Sequence, residues 1–192
     1  MKAWIKSRTA DKVLTPVRKC IGNLIAHDSS LLDIGCGTGS LLMHVQHKIN
    51  VGVGVDMDIG MTRFAQHQAK LNNFDHIQFI TERLQLTSVL PHSHYDYASA
   101  TLCLHEMPWE KAKLVLIKMR SLANTIIIAD FSQANSLWGK LSIEVDEIMS
   151  GHYTNFKQYR SKGGLNQLAN ACGLTVQTEH DSGVDGISIW VL

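Results

Sequence analysis

Residues 31–42 read LLDIGCGTGSLL. A short apolar run, Leu31 to Ile34, feeds directly into Gly35, Gly37 and Gly39, and Ser40 to His47 follows with Leu41, Leu42 and Val45 on one side. The pattern predicts a strand, a tight turn and a helix. Glycines at two-residue intervals permit the turn and let a ligand approach the backbone, and the helix start presents N–H groups with no partner inside the helix. Asp33 stands just before the turn, where a carboxylate suits a cationic amine, held directly or through water, better than a phosphate. The spacing G-x-G-x-G also differs from the phosphate-binding form GxxxxGK[ST]. Cys36 lies inside the loop and reads as a small, snug side chain rather than a nucleophile.

Working outward, Val51 to Val55 predicts a second strand that ends at Asp56, 21 residues after Gly35. In this fold class a carboxylate at that place faces the ribose of a bound nucleoside and accepts from its hydroxyls. Met57 beside it is placed to pack on a base, and Asp58 offers a separate helix cap. Before the first strand, Thr15 to Ala26 predicts a helix: Pro16 suits a first turn, and Val17, Cys20, Ile21, Leu24 and Ile25 recur at helical spacing. After the second strand come a helix over Ile59 to Leu71, with Met61, Phe64, Ala65 and Leu71 inward, and strands over Ile77 to Ile80 and Tyr95 to Ala100. A helix from Pro108 to about Leu122 follows, and then a fifth strand, Thr125 to Ala129, ending at Asp130. Gln133 to Arg160 is longer than an ordinary connection. It predicts one or two helices around Leu137 to Met149 and a loop containing Tyr153 to Tyr159. Leu165 to Cys172 predicts a helix closed by Gly173.

Strand and helix alternate through the first two thirds, which means a mostly parallel sheet covered on both faces. The last two strands, Leu174 to Thr178 and Ile187 to Val191, are joined only by the turn His180 to Gly186. That is too short for a crossover helix, so they pair antiparallel. The glycine loop and Asp56 alone fit either a nicotinamide enzyme or an S-adenosylmethionine enzyme.

Composition narrows the field. The 192 residues carry 18 Lys+Arg against 17 Asp+Glu, a formal net charge of +1, with no basic run, so a large phosphate-binding surface for nucleic acid is disfavoured. Cys20, Cys36, Cys103 and Cys172 form no C-x-x-C, neither a disulfide framework nor a zinc knuckle. Neither a leader with an apolar core nor an 18-residue apolar run occurs. The expectation is a single cytoplasmic domain with reduced thiols.

Taken together, LLDIGCGTG, VGVGVDMD, YDYASATLCLHEMP and IIIADF resemble the class I S-adenosylmethionine-dependent methyltransferase family, over about Leu31 to Leu192. The phrase GHYTNFKQYRSKGGL resembles the cap-proximal region of its small-molecule enzymes. The resemblance implies an α/β, Rossmann-like three-layer sandwich with a seven-stranded mostly parallel sheet whose last strand is antiparallel. One methyltransferase domain would span 1–192, with 1–30 an N-terminal helical extension and 131–164 an acceptor-side insertion. S-adenosyl-L-methionine is the implied cofactor. Asp33 corresponds to the acid that helps hold the methionine portion, and Gly35, Cys36, Gly37 and Gly39 to the loop that wraps the cofactor. Asp56 corresponds to the ribose acid, with Met57 beside it as a further cofactor contact, and Ala100 and Thr101 to the strand end under the methionine portion. The family's adenine-side Asp is missing. In its place stand Glu82 and Arg83, leaving the adenine to Glu82, to backbone atoms and to Leu84.

On the acceptor side, His105 and Glu106 sit past the fourth strand, at the edge where a parallel sheet places ligands, and are the catalytic candidates; a His there can take a proton. Trp138, His152, Tyr153, Phe156, Tyr159 and Arg160 cluster after the fifth strand. Tyr153, Tyr159 and Arg160 are the substrate-binding candidates. HEMPW is not H-E-x-x-H and no further ligand has metal spacing, so no metal is expected. The polar-Pro-Pro-aromatic sequence of amino-methylating enzymes is absent from SATLCLHE, as is a Pro-Cys nucleophile. The acceptor expected is therefore a small molecule, with no DNA and no membrane span, in a monomer or homodimer. The alternatives are an RNA methyltransferase, a non-catalytic methyltransferase-fold scaffold and a nicotinamide-dependent oxidoreductase.

Overall fold

The computed structural model describes residues 10–82, 90–133 and 153–192. The expected helices around Leu137 to Met149, together with Arg83, Leu84, Trp138 and His152, lie outside the described residues. Two helices, α1 (Ala10–Val13) and α2 (Thr15–Leu24), precede β1 (Ser29–Ile34). There follow α3 (Ser40–Val45), β2 (Ile49–Asp56), α4 (Ile59–Leu71), β3 (Ile77–Thr81), β4 (Tyr95–Thr101), a 3₁₀ turn (Leu104–Glu106), α5 (Trp109–Leu122) and β5 (Ala123–Phe131). The last elements are α6 (Tyr153–Ser161), α7 (Gly164–Ala171), β6 (Thr178–Asp181) and β7 (Ile187–Val191). The strands form one seven-stranded sheet of order β3-β2-β1-β4-β5-β7-β6. β7 runs antiparallel to both β5 and β6, and every other pairing is parallel.

Strand side chains alternate between faces, and β5 shows what that does here. Ile126 and Ile128 enter one core with Leu32, Val53, Leu116, Leu168 and Trp190. Ile127 and Ala129 enter the other with Val17, Ile21, Leu31, Leu42 and Phe156. Both faces are buried, so central strands read as unbroken apolar runs rather than as alternation. The chain builds outward from β1 through β2 to β3, then returns to the other side of β1 with β4. That reversal opens a crevice at the carboxyl ends of β1 and β4.

Three expectations need correction. The stretch expected as a loop at Tyr153 to Tyr159 is helix α6. Its buried stripe, Phe156 and Tyr159 three residues apart, is aromatic and set in a polar background, which hides the helical period. The sixth strand is Thr178–Asp181, not Leu174 to Thr178. The Leu174 N–H is taken up closing α7 on Ala169 O (2.9 Å), while Leu174 and Val176 pack on the core. The polar TEHD then forms the exposed edge ladder. On α4, Met61 and Ala65 are buried as expected, but Leu71 at the helix end is 63% exposed. Among the described residues, no helix is long and apolar enough to cross a membrane.

Candidate active site

The glycine loop leaves β1 and is tied at once to β2: Gly35 N–H and Cys36 N–H both donate to Val55 O, at 2.8 and 3.1 Å. Gly35, Gly37 and Gly39 all have positive φ, at 69°, 52° and 73°. Two of them also have crowded backs. A Cβ on Gly35 would meet Cys103 Sγ at 2.3 Å, and one on Gly39 would meet the Phe79 ring at 2.4 Å. At those positions the absence of a side chain serves the packing behind the loop as well as the turn.

Asp56 closes the loop from the other side. Its Oδ2 accepts from Gly37 N–H (2.8 Å) and its Oδ1 from Asp58 N–H (2.8 Å). Asp58, not Asp56, caps α4, accepting from Gly60 N–H at 2.7 Å and Met61 N–H at 3.3 Å. Asp56 is thereby left as a fixed carboxylate at the rim of a cleft of about 460 Å³, an ordinary size for a small-molecule site. Asp33 lies deeper in the same cleft, paired in register with Ser99 and accepting from Ser99 Oγ–H at 2.8 Å. Burial pushes the Asp33 carboxyl up to about 7; the Ser99 bond opposes this, and the nearby Asp56 charge adds to it. Cys36 and Cys103 are buried thiols, each pushed up by burial first and by surrounding acids next, so neither is an activated nucleophile.

The far end of the cleft is built by β4 and β5. Leu102, directly after β4, has φ 48°, a left-handed conformation that a leucine seldom adopts. Its N–H donates to Ala129 O (2.8 Å), and the chain then turns through the 3₁₀ segment that carries His105. Asp130, fully buried near the end of β5, holds His105 in place: the ring Nδ1 bonds Asp130 Oδ1. The same carboxylate accepts from the backbone N–H groups of His105 (3.3 Å) and Phe131 (2.8 Å). Phe131, Phe156 and Tyr159 surround the imidazole, with ring centroids at 4.6, 6.1 and 6.3 Å. Helix α6 is docked on this turn by Asn155 Nδ2–H donating to Glu106 O (2.7 Å) and Trp109 N–H donating to Gln158 Oε1 (3.3 Å).

One open crevice therefore contains two fixed carboxylates on the β1–β2 side and an acid-held imidazole on the β4–β5 side. The profile of a family described as "Methyltransferase domain" matches residues 31–125, from the first residues of this crevice to β5. The match covers just under half of the chain, and the sheet order with its antiparallel β7 is that of the class I S-adenosylmethionine-dependent methyltransferase fold.

Solved structures share the fold of this chain at low sequence identity. A magnesium protoporphyrin IX methyltransferase from Synechocystis, with bound S-adenosylhomocysteine, is 19% identical with a TM-score of 0.64, over 94% of this chain and 80% of that one. A methyltransferase from Aquifex aeolicus is 13% identical with a TM-score of 0.66, over 99% and 95%. An O-methyltransferase family protein from Burkholderia thailandensis is 15% identical with a TM-score of 0.71, over 98% and 57%. No curated protein matches the sequence.

Most of the residues that the sequence singles out meet in this cleft. Asp33, Gly35, Cys36, Gly37, Asp56, Met57, Glu82, Thr101, His105 and Glu106 all line it. Gly39 instead opens α3 against Phe79, and Ala100 is buried in the core. The three substrate candidates lie elsewhere. Tyr159 and Arg160 line a second cavity, while Tyr153 packs against the core with Lys157 Nζ over its ring at 5.5 Å. Sequence reasoning missed Arg18, Asn155 and Asp130. Arg18 comes from α2 to line the cleft, with Nη1–H donating to Ser40 Oγ (3.4 Å) and Nη2–H to Thr15 Oγ1 (3.2 Å). No local motif marks it. Asp130 was visible as the acid ending an Ile-rich strand, but its partner is 25 residues away.

Proposed function

We propose that this protein transfers the methyl group of S-adenosylmethionine to a small-molecule acceptor by in-line substitution, with His105 taking the acceptor's proton. The observation that carries the reading is His105, held from behind by the buried Asp130, lining the same cleft as Asp33 and Asp56. The residues present fit the cofactor. Asp33 offers a carboxylate to its ammonium, Arg18 a guanidinium to its carboxylate, and Asp56 a fixed acceptor to its ribose hydroxyls. Thr101 lines the cleft, and its buried Oγ1 has no hydrogen-bond partner among the described residues. The bound cofactor supplies a methyl group on a sulfonium that is already a good leaving group, so the protein's tasks are alignment and exclusion of water.

His105 is prepared for proton transfer by its partner. With Nδ1–H held on the Asp130 carboxylate, the neutral ring carries its lone pair on Nε2, and the carboxylate stabilises the imidazolium formed when a proton arrives. The acceptor suited to this arrangement is a hydroxyl or another acidic group. The Synechocystis relative is named for a small-molecule acceptor, and the near-zero net charge of this chain agrees with that class rather than with RNA.

Calorimetry with S-adenosylmethionine, S-adenosylhomocysteine and NADH tests the cofactor. Binding of the first two and not the third is expected; tight NADH binding alone would make the chain an oxidoreductase. Incubation with a metabolite extract tests catalysis. S-adenosylhomocysteine should accumulate, whereas binding without turnover on metabolite, RNA or protein fractions would leave a scaffold.

The buried Asp33 gives the binding a pH signature. Its carboxyl holds a proton up to about pH 7 in the ligand-free protein, whereas an ammonium group needs the carboxylate. Binding therefore releases a proton below pH 7. Affinity for S-adenosylhomocysteine should rise as pH climbs toward 7 and level off above it, and Asp33→Asn should abolish the slope. A slope that survives in Asp33→Asn would assign it to another group. Linkage to folding has the opposite sense: an acid raised in the folded state stabilises most below its unfolded value, and that contribution is lost as pH rises to about 7.

A further inference from the structure

One wall of the cleft is a single stretch of chain, running from Thr101 at the end of β4 to Lys111 in the first turn of α5. Helical phase sorts the side chains of that turn. Trp109 and Ala112 are buried in the core. Glu110 is paired with Lys113, one turn on, at 2.7 Å. Lys111 lies on neither face and lines the cleft, as Met107 and Pro108 do just before it. Helical side chains lean toward the helix N-terminus, and in α5 that is the end at the cleft. Lys111 is exposed, and among the described residues its side chain makes no hydrogen bond or ion pair.

The other charges of the cleft give this lysine a task. The carboxylates that line it are Asp33, Asp56, Glu82 and Glu106, and the cations are Arg18 and Lys111. S-adenosylmethionine has a single anionic group, its carboxylate. In the arrangement proposed above that group meets Arg18, which bonds Ser40 and Thr15 on the α2 side. Lys111 is therefore a cation that the cofactor does not call for, and it stands on the same wall as His105. Across from it, Asn155 donates from Nδ2 to Glu106 O (2.7 Å), and its amide oxygen accepts from no described residue. Met107 and Phe131 add apolar surface between these polar groups. A negatively charged molecule entering among so many acids needs a cation to meet it, and a neutral one does not.

We propose that Lys111 selects the methyl acceptor, pairing with an anionic group, a carboxylate or a phosphate, that the acceptor carries besides the group presented to His105. The identity of the occupant as methyl acceptor rests on the methyl-transfer reading above; the demand of an unpaired ammonium for an anion does not.

The first arm of the test uses the full chain and a metabolite extract divided on an anion exchanger. S-adenosylhomocysteine should form from the retained, anionic fraction; formation from the unretained fraction alone overturns the proposal. On the retained fraction, Lys111→Gln should raise the amount needed for half-maximal rate by about five- to tenfold, between the worth of an exposed ion pair and that of a hydrogen bond to a charged group, with the maximal rate nearly unchanged. Lys111→Arg should recover most of that loss, and Lys111→Glu should exceed it. An unchanged half-saturating amount in Lys111→Gln overturns the proposal. So does a loss of S-adenosylhomocysteine affinity as large as the loss for the acceptor, which would place Lys111 against the cofactor. In the second arm the protein saturated with S-adenosylhomocysteine is titrated with benzoate, phenyl phosphate and, as the neutral probe, benzamide. At least one anion should bind more tightly than benzamide to the parent, and that preference should vanish in Lys111→Gln. A preference for benzoate assigns a carboxylate and one for phenyl phosphate a phosphate; no preference for either over benzamide overturns the proposal. If neither extract fraction yields S-adenosylhomocysteine, the methyl-transfer reading and the acceptor assignment fall together, while an anion preference lost in Lys111→Gln keeps this wall of the cleft as a ligand site.

Discussion

Replacing His105 by Gln is expected to lower turnover by roughly 10²–10⁴-fold, the usual worth of a positioned general base, with cofactor affinity nearly unchanged. The separation follows from the layout of the cleft. In the proposed arrangement the cofactor's ammonium, carboxylate and ribose would meet Asp33, Arg18 and Asp56, on the β1–β2 side and α2, whereas His105 stands beyond β4 against Phe131. Asp130→Asn is the companion substitution. It keeps the shape and an oxygen that can accept from Nδ1–H, but removes the charge that stabilises the imidazolium. It should depress kcat while leaving KM for the acceptor close to the parent value, because Asp130 acts through His105 and is fully buried. A merely structural Asp130 would instead lower thermal stability and leave the kcat of the folded fraction intact. Unchanged turnover in His105→Gln on the true acceptor would remove the imidazole from the mechanism.

The parts of this site that the sequence reveals are those whose residues are neighbours along the chain. Asp33 and the glycine loop occupy one stretch, and Asp56 ends the next strand, so strand–turn–helix grammar places both. The β7 insertion follows from the shortness of the turn after residue 180. What stays hidden is set by tertiary pairing. The His105–Asp130 bond joins the ends of β4 and β5, which the parallel register brings side by side. Arg18 reaches the cleft because α2 packs on α3, beside Ser40. The same limit explains the substrate candidates. Tyr153, Phe156 and Tyr159 were recognised as an aromatic cluster, yet only their helical phase decides what each one faces. That phase puts Tyr159 against His105 and in the second cavity, and leaves Tyr153 on the core with Lys157. The glycine loop was legible for a reason that is only partly about ligands, since Cys103 behind Gly35 and Phe79 behind Gly39 would demand glycine in any case.

Asp56→Ala should weaken S-adenosylhomocysteine binding by roughly one to two orders of magnitude, the equivalent of about 1.5–3 kcal/mol for a hydrogen bond to a charged group. Two effects point the same way. The substitution removes the carboxylate proposed to meet the ribose, and it releases the Gly37 N–H that Asp56 Oδ2 holds at 2.8 Å, loosening the glycine loop. Asp56→Asn separates them, because its amide oxygen can still accept from one backbone N–H while the charge is gone. Its loss should fall between the parent and the alanine variant. Glu82→Ala is the control from the neighbouring strand. Glu82 lines the cleft and its backbone N–H donates to Asp56 O at 3.0 Å, a bond that survives loss of the side chain. Its effect on affinity should therefore be the smaller of the two, and isothermal titration of all three variants decides the order. Equal, negligible losses in Asp56→Ala and Glu82→Ala would mean that the ribose lies elsewhere. A larger loss in Glu82→Ala would move the nucleoside toward β3 and make Asp56 a strut of the loop alone.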